Sequence, residues 1–85
     1  FVARRLYTAS ASAPGVGETY VYTLRRLAAD TLVTATTSGA AETSSNDTTR
    51  EVAGNAGDGL SVKLVTSAGA AVTSHRCVVE IEAIP

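Results

Sequence analysis

Tryptophan and methionine are absent from the chain, aromatic residues make up 5% of it, and much of its 45% hydrophobic fraction is alanine. With 85 residues this composition supports one domain with a thin core, because a chain of this size buries only about 60–65% of its unfolded surface. Stabilisation by a neighbouring chain is therefore expected. The single cysteine, Cys77, excludes an intrachain disulfide, and one Cys with one His cannot complete a four-ligand zinc site within one chain. A net charge of −1 and a pI near 5.7 leave no positive field to hold nucleic acid or an anionic membrane, so neither is expected as a partner. No apolar run approaches the roughly 20 residues that a membrane helix needs.

What the chain does have is alternation. The stretch Gly57-Asp58-Gly59-Leu60-Ser61-Val62-Lys63-Leu64-Val65 runs from a turn into a strand with Leu60, Val62 and Leu64 on one face. Glu18 to Leu27 repeats the pattern, with Tyr20, Tyr22 and Leu24 opposite Thr19, Val21, Thr23 and Arg25. Leu27-Ala28-Ala29-Asp30 is short enough to connect that strand as a hairpin to the Thr- and Val-rich run Thr31 to Thr37. The first 13 residues suit an extended strand ended by Pro14-Gly15-Val16-Gly17. Arg76 to Ile84 alternates again, with Cys77, Val79, Ile81 and Ala83 on one face and Val78, Glu80, Glu82 and Ile84 on the other. Ser38 to Arg50 carries no large apolar residue and is expected to be an exposed loop, with Glu51-Val52-Ala53 as a short strand after it. No window shows a 3.6-residue period. The expected fold is all-β, a small antiparallel β-sandwich of about six strands over residues 1–85, with an open edge that a neighbouring chain completes.

Residues able to carry chemistry each have a simpler structural reading. Glu80 and Glu82, two apart on a strand, lie about 6.5–7 Å apart, a spacing that overlaps that of inverting glycosidase carboxylates. A solvated strand face accounts for them without a cleft. His75, the one histidine, has no Gly-x-Ser-x-Gly elbow to serve and reads as a surface loop residue. Cys77 reads as a small buried hydrophobe. Glu42, Asp47 and Asp58 lack the ligand spacing of a calcium loop and read as solvated carboxylates. Arg4-Arg5 and Arg25-Arg26 each split across two faces of a strand and suit surface or intersubunit ion pairs. Asn46-Asp47-Thr48 matches the short N-glycosylation pattern, which is common by chance. No catalytic, cofactor-binding or metal site is assigned, and no enzymatic activity is expected.

The succession of a Pro-Gly loop, Tyr20 to Arg25, Asp30 to Thr36, Ala56 to Leu64 and Val78 to Ala83 resembles the jelly-roll domains of tailed-phage virion proteins. That resemblance implies a β-sandwich without catalytic residues, located in the virion as a capsid decoration protein or a part of a head or tail fibre. It implies assembly with itself as a homo-oligomer, with a trimer favoured, and with other virion proteins such as a major capsid protein. A complete jelly roll has eight strands, two more than this chain offers. The alternative is a glycan-binding or surface-filament sandwich module of a secreted or cell-surface protein, for which Tyr7, Tyr20 and Tyr22 are the tyrosines available.

Overall fold

The computed structural model describes residues 1–83, and its strands run in the order β1 (Val2–Ser10), β2 (Gly15–Arg26), β3 (Ala29–Gly39), β4 (Ser44–Ala53), β5 (Leu60–Thr66) and β6 (His75–Glu82). They form two three-stranded sheets ordered β4-β1-β6 and β3-β2-β5, with every pairing antiparallel. The protein is an all-β sandwich of six strands. Its long axis of 45 Å follows from the 12 residues of β2, which at about 3.3 Å per residue span roughly 40 Å. Ile84, expected near the end of the last strand, lies outside the described residues.

Alternation places the core where the two central strands face each other. Leu6 and Ala3 of β1 meet Tyr20, Tyr22 and Leu24 of β2, with Val33 and Ala35 of β3 completing the fully buried apolar set. The tyrosines can be buried because their hydroxyls reach partners at one end of the sandwich. Tyr20 donates to the Ala71 carbonyl at 2.7 Å, and the Tyr22 hydroxyl lies 2.7 Å from His75 Nδ1. Burial pushes the Tyr22 phenol above its ordinary pKa.

The segment expected as an exposed loop is a strand. Residues 38–39 end β3, and Ser44 to Arg50 belong to the ten-residue β4, which also absorbs Glu51-Val52-Ala53. Its anchor is polar. Asp47, expected as a solvated carboxylate, is 4% exposed. Its Oδ1 accepts from the backbone N–H groups of Thr49 and Arg50 at 3.1 and 3.2 Å, and its Oδ2 accepts from the N–H of Thr34 at 3.1 Å. Arg50 Nε approaches Oδ2 at 2.9 Å. Burial alone would raise the Asp47 pKa, but the three N–H groups and the Arg50 charge outweigh it and hold the carboxyl below its usual range. Ser45 adds a second tie, since Thr37 Oγ1 donates to its Oγ at 2.9 Å and Thr8 Oγ1 shares a hydrogen bond with the same atom. A scan for large apolar residues misses such a strand, because it is held by hydrogen bonds to a charged group.

The hairpin between β2 and β3 is formed as expected, by an unexpected turn. Leu27 and Ala28 take φ of 51° and 62°, the left-handed pair that Asn-Gly usually supplies, while the Leu27 N–H donates to the Gly59 carbonyl at 3.0 Å. At the other end of β4, the turn forms where its residues suggest, but Asp58, expected as a solvated carboxylate, is half-buried. Gly57 takes a φ of 91°, and Asp58 Oδ2 accepts from the Asn55 N–H at 2.9 Å and from Arg26 Nε at 2.7 Å.

Candidate functional site

The six strands leave one side of the sandwich unclosed. β4 and β3 are edge strands on one margin, where Asp47 and Ser45 stitch the sheets together. β6 and β5 are the edge strands of the other margin. There, among the described residues, no hydrogen bond or ion pair joins the two strands. The pairing registers decide which side chains face inward. Val79 sits opposite Leu6 and Ile81 opposite Ala3, while Leu64 sits opposite Tyr22 and Val62 opposite Leu24. All four partners are buried core residues, so these side chains point to the interior. They are nevertheless wet, with Leu64 37% and Ile81 51% exposed. Leu60, Val62 and Val79 are half-buried. An inward-facing apolar row on each of two free edges makes this an exposed apolar margin.

Cys77 belongs to this margin. It sits opposite Thr8 on the inward face of β6 as alternation predicts, yet it is exposed rather than buried, because none of the described residues covers it there. Partial burial still pushes its thiol pKa up, which disfavours the reactive thiolate. His75 is the first residue of β6 rather than part of a loop, and is half-buried. Its ring stands edge-on to Tyr20 at 4.6 Å between centroids and to Tyr22 at 5.6 Å.

The outer face of the β4-β1-β6 sheet carries the charges. Glu80 and Glu82 share this face, each occupied by an arginine. Arg5 Nη1 donates to both oxygens of Glu80 at 2.8 and 2.9 Å, and Arg4 pairs with Glu82 and, at 3.7 Å, with Glu51. The two arginines do not split across the sheet. A bulge between Arg4 and Leu6, with Arg5 at a φ of 55°, turns both side chains to the same side. Arg25 and Arg26 do separate: Arg25 pairs with Asp30 at 3.0 Å, and Arg26 with Asp58 at 2.6 Å. Arg76 is exposed on the outward face of β6 and has no ion pair among the described residues.

Two open notches lie elsewhere. One of about 200 Å³ is lined by Ala9, Ser10, Ala11, Ser74 and Arg76; one of about 330 Å³ includes Arg26, Asp30, Glu51 and Val52. In the second, Thr31 Oγ1 donates to the Leu24 carbonyl at 2.7 Å, and Asp30 is held by Arg25 and Lys63. No group of three or more His, Cys, Asp or Glu side chains placed to hold a metal occurs among the described residues. Asn46 is exposed on the outer face of β4 opposite Tyr7. Of the three tyrosines, only Tyr7 is exposed. Searches against protein-family models, curated proteins and solved structures find no match for this chain.

Proposed function

We propose that the chain is a non-enzymatic structural subunit of a virion, decorating a capsid or forming part of a head or tail fibre. It acts by assembling with copies of itself and with other virion proteins such as a major capsid protein. The open β5/β6 margin carries this reading. Leu64, Val79 and Ile81 face inward and lie partly in water, and burial against a neighbour converts that exposed apolar area into stabilisation at about 25 cal/mol per Å². Free strand edges on the same margin supply unpaired backbone groups for the same contact. The virion setting comes from the jelly-roll resemblance.

The glycan-binding alternative has less to work with, since Tyr20 and Tyr22 are buried and Tyr7 alone presents a ring to solvent. The test is the mass of the purified chain by light scattering across a dilution series, with unfolding followed by circular dichroism. A subunit stabilised by its neighbours associates and melts at a temperature that rises with concentration. A folded monomer with concentration-independent melting overturns the reading.

A further inference from the structure

We infer that the open margin closes against a second copy of the chain, with β6 pairing antiparallel to β6 about a two-fold axis through Val79. This deepens the assembly reading above and rests on it. The occupant follows first from the two layers. Leu64 lies in one sheet and Ile81 in the other, so a single added strand pairs with one free edge and leaves the other bare. A second copy meets both at once, because it presents the same two edges on the same margin. The result is a continuous sheet in the order β4-β1-β6-β6-β1-β4, with the two β5 edges brought toward each other in the facing layer.

The register follows from faces and charges. Residues opposite one another in an antiparallel pair project to the same face, so the inward odd-numbered residues of β6 must meet odd-numbered ones. With Val79 on the axis, Cys77 meets Ile81 of the second copy on the inward face. On the outward face Arg76 meets Glu82 of the second copy, and symmetry repeats that contact. The pairing gives Arg76 the carboxylate it lacks among the described residues, and gives Glu82 a cation besides Arg4. A parallel in-register pairing would set arginine on arginine and glutamate on glutamate. The neighbouring antiparallel register, centred on Val78, instead points Arg76 at Glu80, which Arg5 already holds through both oxygens.

Charge reversal tests this. Sedimentation of the full chain should give a dimer, and R76E and E82R should each weaken it about tenfold or more, as two attractive contacts become two repulsive ones. Mixing R76E with E82R should restore a dimer, because each subunit then offers the charge that the other needs. Circular dichroism at high dilution should show both variants folded. The thiol of Cys77 reports the same equilibrium: its alkylation should slow as wild-type concentration rises, and stay fast in R76E. A trimer, or an assembly indifferent to R76E, overturns the β6 pairing and leaves the assembly reading standing. Rescue of R76E by E80R rather than E82R overturns the Val79 register. A chain that stays monomeric throughout overturns both the pairing and the assembly reading.

Discussion

The two margins of this sandwich are built from the same kind of edge strand and differ in how their inward positions are filled. On the β3/β4 margin Val33, Ala35 and Val52 are joined by polar residues: Thr37 donates to Ser45, and Asp47 accepts from the N–H of Thr34, so the layers are locked from within. On the β5/β6 margin they are Val62, Leu64, Val79 and Ile81, which are non-directional and need only to be covered. Hydrogen bonds close a small sandwich without requiring a large core. Apolar side chains left at an edge stay partly in water, as Leu64 and Ile81 do.

Of the two margins, the locked one should show the larger effect when broken. Asp47→Ala leaves three backbone N–H groups without their acceptor and should cost about 3 kcal/mol in urea unfolding. Within the core between the margins, Leu6→Ala should cost about 2–5 kcal/mol. Its counterpart at the open margin, Ile81→Ala, should cost less than about 1 kcal/mol under dilute conditions, because that side chain is already half in water. Equal costs at Leu6 and Ile81 in dilute solution would show that the margin is not open.

The lock should also be sensitive to acid. Because the folded state holds the Asp47 carboxyl below its ordinary range, the unfolded chain takes up that proton more readily. The stabilisation is therefore fully present above the unfolded pKa of about 4 and is lost as pH falls through the lower folded value. Asp47→Asn should be less stable at pH 7 and lose less further stability between about pH 5 and pH 2. An unchanged acid limb in that variant would assign acid sensitivity to other carboxylates.

A smaller effect, of opposite sign, is expected at the β2/β3 turn. Replacing Leu27-Ala28 by Asn-Gly relieves two left-handed residues and should stabilise the fold by about 1 kcal/mol, seen as a melting temperature raised by about 5 °C. A fall in melting temperature would mean that exposed Leu27 makes a contact worth more than the strain.

Strands held by large apolar residues are legible in the amino-acid sequence. Tyr20, Tyr22 and Leu24 alternate and are buried, and Gly57-Asp58 begins the turn into Leu60 as its residues imply. β4 was not legible, since an alternation of Ser, Asp and Thr is what an exposed loop also looks like. The one available hint was a strand-like spacing of Ser45, Asp47 and Thr49, which acquires meaning only when the Thr34 N–H is known to lie alongside. Arg4 and Arg5 depart from the sequence pattern for a related reason: strict alternation does not contain the bulge that turns both to one face.

The candidate site shows the same division. That Leu64, Cys77, Val79 and Ile81 share inward faces is a property of the sequence, because side chains alternate along any strand. That they stand partly in water was decided by the tertiary structure alone. Strand order places β5 and β6 on one margin, and whether an inward-facing residue is buried depends on what lies across from it in space. Local pattern determined the strands and their faces; the pairing of segments far apart in the chain determined which margin is locked and which is open.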